Sequence, residues 1–192
     1  MLIEKSQIAL AQLPIDGLKA HLKLGSAFDL DTLQDDILAG FLRAAIAAVE
    51  NRIDKILLIR SFEWRPMGLA SELIIPVAPM IAIERIETWG ADGVATELAS
   101  TKYSVVPVHY DHVLTASFGN LISGAAVHLR AGMVDQWDQL PADLAQAVMM
   151  LAAHYYEFRN DTGLGEGCMP FGVHSLLQRH RNIRVTFGRG AQ

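Results

Sequence analysis

The residues best suited to chemistry lie in the run "HYDH", where His109 and His112 bracket Asp111 and put three potential metal ligands within four residues. Zinc and iron sites usually draw such ligands from regular elements and add another from elsewhere in the fold. Here the run sits between two segments of strand character, so a polar turn is the expectation. His154 and Glu157 stand three apart on a helical segment, the spacing of the Glu-x-x-His unit of di-iron bundles but reversed and without a second copy. A solvated or hydrogen-bonded helix face accounts for them. Gly163, Gly165 and Gly167 suggest a phosphate-cradling loop, yet no strand precedes them and no Gly-Lys-Ser/Thr follows. Cys168, the single cysteine, would need a basic partner to become a nucleophile and reads as a free thiol in a loop. The serines form no Gly-x-Ser-x-Gly elbow. No catalytic residue, metal site or cofactor is expected, and the chain does not read as an enzyme.

The elements that would carry these residues are legible from hydrophobic spacing. Residues 14–24, "PIDGLKAHLKL", place Ile15, Leu18, Leu22 and Leu24 on one face of a short helix that Gly25 would end. A long helix over about 30–59, capped by Asp29 or Asp31, repeats Leu38, Leu42, Ala45, Val49, Ile53 and Ile56 at three and four residues. Residues 1–59 thus read as helical. From Arg60 to about residue 131 the pattern changes to short β-branched and aromatic runs: "RSFEWRP", "ELIIPV", "MIAIERIETWG", "KYSVVPV", "HVLTAS" and "AAVHLRAG". Pro66, Pro76, Pro79 and Pro107 belong at strand ends or edges, and "GADG" at 90–93 is a hairpin turn. These runs predict a small antiparallel sheet of about four to six strands. A helix over about 141–160 starts at Pro141, with Leu144, Val148, Leu151, Tyr155 and Phe158 as its buried stripe. Tyr156 lies off that stripe. The expected class is α+β: N-terminal helices and a long helix packed with a small antiparallel sheet, then a C-terminal helix and an extended tail.

Length and composition set the outer bounds. At 192 residues the chain suits one domain, burying roughly 70% of the surface of its unfolded form. Apolar residues make up 51% and charged ones 19%, an excess that suits a surface covered by partners. The net charge of -5 argues against a general nucleic-acid binder. One cysteine allows no intrachain disulfide, consistent with a reducing compartment. "MLIEKSQIALAQLP" lacks the basic start and long apolar run of a signal peptide, and no run reaches the roughly 18 apolar residues of a membrane span.

The C-terminal region is the most unusual part. After Asn160 a glycine-rich hinge, three glycines within 163–167, leads to Phe171, Val173, Leu176, Leu177 and His180, the pattern of a helix too short to stand alone in water. Acidic residues stop at Glu166, while Arg179, Arg181, Arg184 and Arg189 follow. Such a tail would either contact phosphates or dock on a partner protein, apolar residues giving affinity and arginines orientation. The regular apolar positions favour docking over a frayed terminus.

Taken in order, these parts carry a family resemblance. "LKAHLKL", then "AAIAAVENRI", a proline-punctuated β middle, "LPADLAQAVMMLAAHYYEFR" ending in Tyr155, Tyr156 and Arg159, and the tail "PFGVHSLLQRHR" with Pro170, Gly172, Val173, Leu176, Leu177 and Arg181 resemble the head-tail connector, or adaptor, family of long-tailed bacteriophages and gene transfer agents. The likeness spans nearly the whole chain. It implies a structural virion protein that self-associates into a dodecameric ring under the portal protein, continues the DNA channel without gripping DNA, and meets the tail-completion (stopper) protein, with no membrane. It places the chain at the head–tail junction of a particle assembled in the bacterial cytoplasm. By the same resemblance, residues 1–162 form the adaptor domain and 163–192 the hinge and tail, with Phe171, Val173, Leu176, Leu177, Arg181 and Arg184 binding the portal. The glycine-rich loop from Asp161 to Met169 departs from the family pattern and bears on the reach of that tail. Two other readings stay in view: a small nucleic-acid-binding protein using the basic tail, and a metal-dependent enzyme using His109, Asp111 and His112.

Overall fold

Two hydrophobic periods divide the chain, about 3.6 residues in its helices and two in its strands, and each builds a core of its own. The computed structural model describes residues 1–24, 32–108, 111–119, 122–160 and 169–181. In chain order the elements are β1 (Leu2–Glu4), α1 (Ile15–His21), α2 (Thr32–Ile53), β2 (Arg60–Trp64), β3 (Glu72–Ile74), β4 (Met80–Trp89), β5 (Ala95–Glu97), β6 (Tyr103–Val108), β7 (Asp111–Ala116), β8 (Gly124–Ala131), α3 (Ala142–Glu157) and α4 (Phe171–Leu177). The expected α+β class is the observed one.

The helical core forms because α2 and α3 each present a stripe of large and small apolar residues. Leu38, Leu42, Ala45, Val49 and Ile53 of α2 meet Leu144, Ala147, Val148, Leu151 and Ala152 of α3, all without solvent exposure. Alanines at the contact let the helix axes approach, and each fully buried leucine contributes about 1.5–3 kcal/mol. Leu18 of α1 completes the cluster. Both N-terminal helices end in a left-handed residue, Lys23 (φ 56) after α1 and Asp54 (φ 58) after α2. Leu24 N–H then donates to the Lys19 carbonyl and Lys55 N–H to the Glu50 carbonyl. Lys23 therefore does the work expected of Gly25, which lies outside the described residues together with Asp29 and Asp31. Helix α2 stops at Ile53, so Ile56 leaves the helical stripe and packs instead against the strands.

The β region holds more strands than the spacing predicts. Its six sequence runs are β2, β3, β4, β6, β7 and β8, and the three-residue β5 joins them as the second arm of the "GADG" hairpin, closed by Gly93 N–H on the Gly90 carbonyl at 3.1 Å. The residues read as wholly helical also contribute β1, which pairs antiparallel with β2. Three residues are too few to show alternation, and that strand exists because β2 offers it an edge. Instead of one sheet there are two, a five-stranded one ordered β1-β2-β8-β4-β5 and a three-stranded one ordered β3-β7-β6. Phe62, Trp64, Ile86, Val127 and Leu129 of the larger sheet face Leu114 and Ala116 of the smaller, forming the second core.

The two cores are joined where residues 54–59 run beside 132–134. Val134 N–H donates to the Leu57 carbonyl and Ile59 N–H to the Val134 carbonyl at 2.9 Å. Gly132 sits here with φ 147, and a Cβ on it would lie 2.5 Å from Ile59 Cα, so backbone contact leaves room for glycine alone. Glu50 of α2 accepts a bidentate pair from the Arg60 guanidinium of β2 at 2.9 Å on each oxygen, and the Leu57 N–H at 2.8 Å. Arg60 Nε is 3.0 Å from Glu4 Oε1 of β1, so one buried cation ties helix to sheet through two carboxylates. Burial alone would lower the Arg60 guanidinium, but Glu50 and Glu4 hold it above its ordinary value.

Candidate functional site

Helix α4 needs a host. It has seven residues and begins after Pro170, whose carbonyl accepts the His174 N–H at 3.1 Å. So short a helix gains too few internal bonds to persist in water. It finds its host on its own chain: Val173 and Leu177 are buried in the helical core, and Leu176 packs half-buried against it. Gly172 permits the approach, since a Cβ there would stand 3.0 Å from Met150 Cε of α3.

Polar contacts then latch the docked segment. Asp143, in the first turn of α3, accepts the Leu144 N–H at 3.0 Å through Oδ1. Its Oδ2 lies 2.7 Å from His180 Nε2 and 2.9 Å from Arg179 Nε. Burial pushes the Asp143 carboxyl up, yet His180, the Leu144 amide and Arg179 together hold it below its usual range. On the other side Arg52 Nη2 of α2 lies 2.9 Å from His174 Nε2. Sequence inspection misses all four partners, because Asp143–His180 and Arg52–His174 are 37 and 122 residues apart with no local signal.

The end of α3 answers the question of Tyr156. Its ring meets Phe41 of α2 edge-to-face at 5.9 Å, and the Arg159 guanidinium covers it at 4.6 Å while donating to the Tyr156 carbonyl at 2.8 Å. Tyr155 is half-buried, and burial pushes its phenol up. Phe158, expected on the buried stripe, is 44% exposed because α3 ends at Glu157 and the chain turns away from the α2 contact. His154 packs on the Phe158 ring at 4.7 Å, an aromatic contact instead of a ligand position.

Of the residues expected to bind a partner, the structure gathers Phe171, Val173, Leu176, Leu177 and Arg181 on one short segment with two opposite faces. The inner face holds Val173 and Leu177. The outer face carries Phe171, 88% exposed, which lines a shallow groove with His174, Ser175, Gln178 and Arg181. Arg184, the glycine-rich hinge and Cys168 lie outside the described residues. In the "HYDH" run, Asp111 and His112 open β7 opposite Val108 and Pro107 of β6, and His109 lies outside the described residues. Among the described residues no group of three or more His, Cys, Asp or Glu is placed to hold a metal ion, and no helix is long and apolar enough to cross a membrane. Arg179, counted in the basic tail, is engaged by Asp143.

No protein-family model matches the chain, and neither does any curated protein. Solved structures do. The chain is 36% identical to a chain from the neck of an empty GTA particle with C6 symmetry, with a TM-score of 0.80. A chain of the virion of a native gene transfer agent (GTA) particle is also 36% identical, with a TM-score of 0.78. A third, from the neck of a native GTA particle with C12 symmetry, is 33% identical with a TM-score of 0.75. Each match covers 98% of this chain and 99% of the other.

Proposed function

Since this chain belongs to the head-tail connector family of long-tailed bacteriophages and gene transfer agents, we propose that it is a structural subunit of the particle neck. It forms a ring beneath the portal, prolongs the DNA channel from head to tail, and offers its far side to the tail-completion protein. The observation that carries this is the extent of the likeness, 98% of this chain at 36% identity, which includes both cores and the C-terminal helix. The role is architectural instead of catalytic. A net charge of -5 suits a channel wall that lets DNA slide, because phosphates gain nothing from an acidic surface.

Within that role the C-terminal segment contacts the portal. Val173, Leu176 and Leu177 seat α4 on its own body, and Phe171, Arg181 and Arg184 supply the outward contact, one aromatic anchor beside cationic orienters. A ring multiplies such a small contact by its number of copies. The test is binding of full-length chain to portal rings, wild type against Phe171→Asp with Arg181→Glu. We expect the double variant to bind at least roughly tenfold more weakly with unchanged circular dichroism. Equal binding would move the portal contact away from α4, and no binding by the wild type would remove the portal as partner. A shallow salt dependence that persists through Phe171 would separate this mixed contact from the nucleic-acid reading, in which affinity falls steeply as salt rises.

A further inference from the structure

The two outer faces of the β-sandwich differ in kind. Across the larger sheet Glu63, His128 and Arg85 stand in register, and Lys5 at 3.0 Å and Arg65 at 2.6 Å pair with Glu63. That face is charged, with Glu63 and His128 themselves buried on it. Across the smaller sheet the register brings Ile74 of β3, Val113 of β7 and Val106 of β6 into one row. The inward residues of the same strands, Leu73, Leu114 and Val105, pack into the core, so this row points outward. Ile74 is 62% exposed, Val106 50%, and Val108, two residues further on the same face, 43%. β-Branched residues lie side by side where alternation calls for polar ones.

We propose that this row is a contact between neighbouring copies of the chain in the ring, an inference that rests on the neck-subunit reading above. A cyclic ring obliges each copy to meet its neighbour through two different patches, and the similar neck chains come from neck structures computed with C6 and C12 symmetry. Copies of one chain carry the same charge of -5, so they approach at least cost through a strip whose central row bears no charge. Glu72, opposite Thr115 at the margin of that face, is acidic, which disfavours phosphate as the occupant. The contact uses the face and not strand addition. β6 is an edge strand interrupted by Pro107, and the other edge, β3, has three residues.

Photo-crosslinking from position 106 tests this, with a photoreactive residue in the full-length chain assembled into particles. Adducts of two copies of the chain are expected. A Val106→Asp chain should lower the yield of intact particles on the order of tenfold or more, because the contact would bury an unpaired carboxylate. An Ile74→Asp chain provides a second, independent position, and circular dichroism of each purified variant establishes that it folds. Adducts to a different particle protein, or to the chain's own C-terminal residues, would overturn the assignment, as would intact particles that contain the chain yet give no adduct. A wild-type chain that never enters particles would instead overturn the neck reading on which the assignment stands.

Discussion

Arg60 shows how much one buried residue can be asked to hold. Its guanidinium satisfies both Glu50 oxygens, and 3.0 Å from Nε the Glu4 carboxylate closes the other side, so helix α2 and strands β1 and β2 share one cation. Removing it would leave Glu50 charged and buried, and breaking such a pair costs about 3–5 kcal/mol. Arg60→Ala is therefore expected to lower unfolding free energy by that amount in a urea titration. Arg60→Lys should recover only part, since an ammonium cannot match the two-pronged geometry. Wild-type stability in Arg60→Ala would show that the cluster contributes nothing. The sequence displays Glu4, Glu50 and Arg60 as ordinary charged residues, because their meeting depends on a strand pairing and a helix end. Phe158 errs in the opposite direction: its spacing is that of a core residue, but the helix ends one position too early to bury it.

At the scale of elements, α4 is held by a small apolar inner face and by Asp143. That carboxyl lies below its usual range in the folded chain, so its contribution is complete above the unfolded value of about 3.9 and is lost as pH falls through the folded one. Asp143→Asn should weaken the latch by about 1–3 kcal/mol at neutral pH, the range for hydrogen bonds to a charged group. Amide exchange across residues 171–180 should quicken accordingly. Once pH has fallen below the depressed folded value, under the unfolded value of about 3.9, the variant and the wild type should converge; a difference that persists in that acid range would show that the latch works through packing instead. The α4 residues were legible as a docking segment, since Val173, Leu176 and Leu177 recur at helical spacing. Their host was not, because apolar spacing says that a face must be covered and nothing about what covers it. Here the chain covers it itself, and Phe171 is left facing outward.

For the whole molecule the decisive feature is that helices pack on helices and sheet on sheet, with two strands of loop and one buried ion cluster between them. Each core should then register damage chiefly within itself. Leu129→Ala, cutting the sandwich core, and Leu144→Ala, cutting the helical one, should each cost about 2–5 kcal/mol. Native-state hydrogen exchange should show the first quickening β2, β4 and β8 more than α3, and the second the reverse. Uniform quickening in both variants would mean that the junction at Glu50, Arg60 and Gly132 couples the cores into one unit.

The α+β class, six of the eight strands among the described residues, helices α1 to α3 and the amphipathic C-terminal segment were all legible from residue type and spacing. These are local properties, encoded in side-chain period, proline and turn chemistry within a few residues. Tertiary structure alone decided that β1 exists, that the strands divide into two sheets, that Asp143 and Arg52 grip α4, and that Ile74, Val113 and Val106 align on an outer face. Each of those depends on register or contact between segments far apart in the chain, and a linear pattern carries no term for the partner it will meet.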